Sequence, residues 1–385
     1  MSEYVELKRP LFTPFFMALA LLVGLAVVFL AVRFVNGMGS VANLNGGYSW
    51  GIWVVYDIVV GTALACGGYA LAVTVYVFNK GKYHPLIRPA LLTSLLGYGF
   101  AAFGAFVDMG RWWQFYNLFL PWQMNFHSVM LEVGLCVSAY VMVLSIEFLP
   151  TILQRFRAQA LAQRIESVLS RALFFVIALG ILLPTMHQSS LGSFLIAMGW
   201  KVHPLWQTLH FQPLLAVLSA FTMGFAIVVL ESSLAAAAFR RAPETPLLAG
   251  LGRIIVGLIV AFLVIRFAAI LWQGKLGRIF AFDLGSLMFL IETALFAYPL
   301  AVLISPRGRR NAKKLLYAAA SMVLAGALYR FDAFLITFDP GPGYSYFPAF
   351  PEIMVTVGTV AAEIMAYLYF VKKFPVLPRE EHAAA

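Results

Sequence analysis

The chain has 385 residues, of which 62% are hydrophobic and only 11% charged, and its formal net charge is +10. A water-soluble protein of this length needs far more polar surface, so a soluble enzyme is excluded and a membrane protein is expected. The positive charge lies in short stretches between apolar runs, so it reports membrane topology and not a nucleic-acid partner.

Ten runs approach or exceed the roughly 20 apolar residues that a helix needs to cross a bilayer. They are 11–35, 50–79, 89–110, 127–149, 172–199, 212–238, 250–274, 284–305, 315–338 and 351–373. The first follows Lys8 and Arg9, is too long for a signal-peptide core, and is expected to be kept as a helix. The predicted fold is an all-α membrane protein of about ten transmembrane helices. Residues 50–199 and 212–338 each predict a four-helix bundle starting from the same membrane face. Residues 1–49 supply a flanking helix and an outer loop, and 351–385 a last helix and a tail.

The connecting stretches alternate in charge. Those at one end of the helices hold 20 of the 27 Lys and Arg; those at the other hold only Arg111, Lys201, Lys275 and Arg278. The positive-inside rule then places both termini in the cytoplasm and the charge-poor end outside. The outer loops 36–49, 112–126, 200–211 and 339–351 are rich in Gly, Pro and aromatic residues. Such loops suit a docking surface for another protein, or interfacial aromatic belts.

Several ionisable groups lie inside the apolar runs, where they are costly and commonly line a substrate or proton path. Asp57, Glu132 and His187 belong to the first four-helix set; Arg266, Glu292, Arg330 and Asp332 belong to the second. At 1.5 Å of rise per residue most lie roughly 7–12 Å below the outer boundary, with His187 deeper. The second set carries two charges of each sign and predicts a self-neutralising structural network, with a role in transport as its rival. The first set has no Lys or Arg at its depth. Glu132 has no basic neighbour in its own helix, and is expected to be buried with a raised pKa that suits proton transfer. Beside His187, Pro184 is expected to bend the helix. Gln188, Ser189 and Ser190 add donors and acceptors that suit a polar headgroup in an apolar pocket. Asp108 and Arg111 are spaced to pair on one helix face. Glu147 and Glu231, near the basic end, read as snorkelling side chains.

A quinone needs two electrons and two protons, which a histidine and two carboxyls are suited to serve. A b-type haem calls for two facing histidines. Of His127, His187, His203 and His210 only His187 lies well inside a run, so no haem is expected. Cys66 and Cys136 form no CxxC motif, so no iron–sulfur cluster is expected either, and no metal-binding motif is present.

Five strings carry a resemblance: Gly39 to Trp53, Tyr83 to Ala90, Leu183 to Ser190, Lys201 to Gln207 and Gly343 to Pro348. They resemble the integral membrane subunits of periplasmic nickel–iron hydrogenases of type 2, within the polysulfide-reductase-type membrane subunits, and run in the same order over nearly the whole chain. The resemblance implies a haem-free protein of the bacterial inner membrane that passes electrons to menaquinone or ubiquinone. It implies as partners a periplasmic ferredoxin-like iron–sulfur subunit and the hydrogenase small and large subunits, which carry the hydrogen chemistry. It also implies a quinone near the outer side and a proton role for the acid at Glu132. On this reading Glu132, Asp57 and His187 orient the quinone and supply protons, and Asn45, Trp50, Gln188 and Ser190 shape its mouth. Ser138, Tyr140 and Glu147 would lead protons in from the cytoplasm. The rival functions are a proton or ion transporter built on the Arg266–Arg330 group, and a passive anchor held by membrane lipid.

Overall fold

In hydrocarbon every backbone polar group must be satisfied internally, so the apolar runs fold as helices. The structure, a computed structural model, describes residues 4–7, 9–156 and 159–379; Lys8 and His382 lie outside the described residues. Among the described residues, ten helices are long and apolar enough to cross a membrane. They are α1 (Pro14–Asn36), α2 (Val54–Val77), α3 (Ile87–Asp108), α4 (Val129–Leu153), α5 (Ala160–Ala197), α6 (Gln212–Ala238), α7 (Thr245–Trp272), α8 (Leu284–Leu303), α9 (Ala312–Ile336) and α10 (Phe350–Lys373). Short polar residues at the run boundaries cap the helices. Thr13, Ser128, Asp283 and Asn311 accept from the amides of Phe16, Leu131, Ser286 and Lys314 at 2.7–3.3 Å.

Two features depart from the expected runs. Helix α5 begins at Ala160, because the stretch before 172 is made of strong helix formers such as Ala, Leu, Gln and Arg, and it runs through Pro184 without a break. Helix α2 is irregular: Val54–Gly61 and Val73–Val77 are π-helical, as is the end of α9, Asp332–Ile336.

Helices α2 to α5 pack around one another, and α6 to α9 close a second ring. The rings meet where α2 packs on α6 and α9, and α5 on α6. Close approach is possible there because a Cβ on Gly224 of α6 would lie 2.6 Å from the Cys66 carbonyl oxygen of α2. Helices α1 and α10 pack on each other outside the rings, with α10 also against α3. Both described ends of the chain meet in a two-stranded antiparallel sheet, β1 (Tyr4–Val5) and β2 (Leu377–Pro378), at the basic end. Cys66 and Cys136 are free and buried.

Candidate functional site

The two rings share a buried polar centre. It starts on α5, where His187 and Gln188 are each 1% exposed. The Gln188 side-chain nitrogen donates to Thr62 Oγ1 of α2 at 3.2 Å and lies 3.1 Å from His187 Nε2. Its oxygen accepts from Arg330 Nη2 of α9 at 3.3 Å. Arg330 further donates to the carbonyls of Gly326 and Ala216 at 3.2 and 3.3 Å. No carboxylate pairs with it among the described residues. The Tyr98 ring meets the His187 ring edge-on at 5.7 Å, and His187 Nδ1 is buried with no hydrogen-bond partner among the described residues. Against Gln188 and Arg330, but not against His187 or Tyr98, lies a cavity of about 10 Å³, lined by Val59, Gln188, Leu191, Tyr329, Arg330 and Phe334. That is close to the lower bound for one water molecule.

The expected four-charge network of the second ring is not one unit. Arg266 and Glu292 form a closed ion pair, and Trp206 Nε1 donates to Glu292 Oε2 at 2.8 Å. The Arg266 guanidinium is stacked by Phe289 and Tyr329, 4.6 and 5.1 Å from the ring centres. Arg330 faces the other way, across the ring interface to Gln188, because α9 packs on α2 as well as on α6. Asp332 sits in the π-helical end of α9, wholly buried, and neither carboxyl oxygen has a hydrogen-bond partner among the described residues.

The remaining expected site residues scatter. Asp57 is buried in the first π-helical segment of α2, with its carboxyl seated where Gly104 of α3 has no side chain, on the side of Asp108 and Glu363. Glu132 is not buried: it stands in the first turn of α4 on an exposed face, because depth along a helix does not fix the direction in which a side chain points. Asn45 staples two outer loops, donating to Ser345 O at 2.7 Å and accepting from Gly47 N at 3.1 Å. Trp50 is buried, donates to Phe334 O at 2.6 Å and packs on Phe334, one wall of the small cavity. Ser190 returns its hydroxyl to Met186 O at 2.9 Å. Asp108 lies near Arg33 of α1, whose guanidinium donates to Val107 O at 2.7 Å and to Met109 O at the end of α3. Arg33 was legible as the only charge in the first apolar run. In the charge-poor loops, His203 lies 4.0 Å from Asp283. Burial holds the His203 imidazole below its usual range, while the Ser286 backbone N–H holds the Asp283 carboxyl below its own.

Residues 40–337 match the polysulphide reductase NrfD family. The chain belongs to that family. The NrfD match spans both rings and includes His187, Gln188 and Arg330, but not α1 or α10. The chain is thus a multi-pass membrane protein of the electron-transfer type that this family comprises. It is similar to the probable Ni/Fe-hydrogenase 2 b-type cytochrome subunit of Escherichia coli (strain K12), 43% identical over 359 residues, 93% of this chain and 91% of that one. The menaquinone reductase integral membrane subunit of Nitratidesulfovibrio vulgaris is 29% identical over 162 residues, 41% of this chain and 37% of its own. A selenate reductase subunit of Mesobacillus selenatarsenatis is 27% identical over 123 residues, 30% of this chain and 28% of its own.

Proposed function

We propose that this chain is the quinone-reactive membrane subunit of a respiratory hydrogenase in the bacterial inner membrane, with both termini cytoplasmic. Electrons arrive at the charge-poor end from a periplasmic ferredoxin-like iron–sulfur subunit, fed by the hydrogenase small and large subunits, and leave on menaquinone or ubiquinone. The observation that carries this reading is the centre formed by His187, Gln188 and Arg330. It is buried, among the described residues it holds an imidazole nitrogen with no hydrogen-bond partner and an arginine with no carboxylate partner, and it lies on the order of 9–15 Å below the charge-poor helix ends. Such a site suits a quinone headgroup. Arg330 would donate to the ring oxygen on which negative charge develops, and His187 would hold or pass a proton at the other. The cavity is too small for the ring as it stands, so Phe334 and the π-helical segment around it must give way. π-Helical turns recur at functional sites.

A larger apolar cleft of about 410 Å³, between α6 and α10 and lined by Thr93, Glu231, Glu363 and Tyr367, has the better volume. Glu231 is 19 residues from the start of α6, about 28 Å by helix rise, which is too far from the charge-poor end to receive electrons directly. Protons would come from the basic end past Tyr140 and Tyr98, whose rings meet at 4.6 Å, with Glu147 as the entry. The test is the assembled complex in proteoliposomes, supplied with hydrogen, a menaquinone analogue and a potential-sensitive dye. Quinone reduction with a potential is expected. A complex that keeps quinone reduction after this chain is removed would end the proposal.

The subunit is expected to be haem-free, although the Escherichia coli relative is called a b-type cytochrome subunit. His187 is the only histidine within α1 to α10, and its ring is flanked by Tyr98 and Gln188, which leaves no facing imidazole for a second axial bond. A b-type band in the reduced-minus-oxidised spectrum of the purified chain would contradict this.

Glu132 stands at the charge-poor end of α4, where an exposed acid can exchange protons with a quinone or a covering partner. Glu132→Gln is expected to leave the complex assembled and dye-linked hydrogen oxidation intact. Hydrogen-to-quinone activity should fall at least roughly tenfold, since an acid–base group typically contributes about 100-fold or more. Unchanged quinone activity in an intact complex would remove Glu132 from the proton path.

A further inference from the structure

At the basic end of the helices, remote from the centre just described, a crevice of about 760 Å³ opens between the turn after α2, the start of α7 and the turn after α8. Five cationic side chains line it, namely Lys80, Lys82, Arg253, Arg309 and Arg310, and no Asp or Glu does among the described residues. Glu244, just before α7, is turned away: it is buried, and its carboxylate accepts from Ser232 Oγ at 2.9 Å. The charges come from three segments far apart in sequence, so their convergence is a property of the fold. One of them is fixed in place, because Arg309 donates to the Leu303 and Ile304 carbonyls at 2.5 and 2.9 Å. Lys80, Lys82, Arg253 and Arg310 are exposed. The floor is formed by Tyr83, a buried ring whose hydroxyl packs against Gly250 of α7, where any side chain would collide with it.

Membrane topology needs only a surplus of positive charge at one end, and Arg307, Lys313 and Lys314 supply it outside the crevice. It does not need five like charges drawn into one concavity, where they repel within a Debye length of about 8 Å. Compact clusters of guanidinium and ammonium groups match phosphate oxygens in geometry and charge. Exposed apolar side chains flank the crevice, with Phe78 just before Lys80 and Ile304 beside Arg309. We propose that this crevice binds the headgroup of an anionic phospholipid with two phosphates, whose acyl chains lie on that apolar rim. The shared chemistry is phosphate, and the flanking apolar surface assigns its source to lipid. The site is independent of the quinone reading and of which compartment this end faces.

The test uses the full-length chain, purified in detergent, stripped of lipid and measured by native mass spectrometry. The probes are tetraoleoyl cardiolipin, dioleoyl phosphatidylcholine and inorganic phosphate. Two double variants remove equal charge: Arg253→Gln with Arg310→Gln in the crevice, and Arg307→Gln with Lys313→Gln outside it. Cardiolipin adducts are expected on the wild type and on the outside variant, and roughly tenfold weaker binding in the crevice variant. Phosphatidylcholine should not compete, and millimolar phosphate should displace little of the cardiolipin. Equal losses in both variants would reduce the crevice to diffuse surface charge and overturn the site. Complete displacement by phosphate would overturn the lipid assignment in favour of a soluble phosphate compound, and absence of any adduct would overturn both. Melting curves of both variants check the fold, and Arg310→Gln alone gives the same readout should the double variant be unstable.

Discussion

Arg330→Met is expected to lower hydrogen-to-quinone activity by roughly 100-fold or more, the effect of removing one donor aimed at a developing negative charge. Hydrogen oxidation with a soluble dye that draws electrons from the partner clusters should persist. Arg330 is a buried cation whose partners are all neutral: the Gln188 amide, the Gly326 and Ala216 carbonyls and Met223 sulfur. A cation kept in hydrocarbon without a counter-ion is expensive. The arrangement is explained if an anion forms beside it during turnover, and a reduced quinone oxygen is such an anion. Methionine fills much of the same volume and leaves no charge behind, so the complex should still assemble. Arg330→Lys keeps the charge on a single-point donor and should retain part of the activity. If the Met variant assembles and reduces quinone at the normal rate, the centre around Gln188 is structural. If neither variant accumulates, Arg330 is a folding residue of the ring interface.

Much of the fold was legible because hydrocarbon leaves the backbone one main solution, and the length of each apolar run is a direct count of membrane thickness. The place of each polar group along its helix was legible for the same reason. Direction around the helix axis was not. Glu132 lies in the first turn of α4 and faces outward, while Arg330 turns away from the charges of its own ring to a residue 142 positions earlier in the chain. Such pairings depend on which helices pack together, and hydropathy does not encode that. The π-helical segments carrying Asp57 and Asp332 were also hidden, since Val54–Gly61 reads as an ordinary apolar stretch. Helix α5 stays helical through Pro184. Arg33 was in plain view, but its role as a donor to the end of α3 needed the contact between α1 and that helix end.

Arg266 and Glu292 should prove essential for assembly and dispensable for chemistry. Both are fully buried, they form a direct ion pair, and Trp206 donates to the same carboxylate. Aromatic rings enclose the guanidinium, so no water can replace a lost partner at low cost. Removing one member strands the other as an uncompensated charge, typically at a cost of about 3–5 kcal/mol, which is a large part of the stability of an ordinary domain. Arg266→Met or Glu292→Gln alone should therefore sharply lower the amount of assembled complex. The double variant Arg266→Met with Glu292→Met leaves no stranded charge and should recover much of that loss, because apolar replacement of a buried pair is often neutral or stabilising. Recovered complex should reduce quinone at close to the normal rate per molecule. The measurement is complex yield in membranes beside quinone activity per assembled complex. A double variant that assembles but cannot reduce quinone would move this pair from scaffold to site, and would favour a charge path through the second ring over the centre at Gln188.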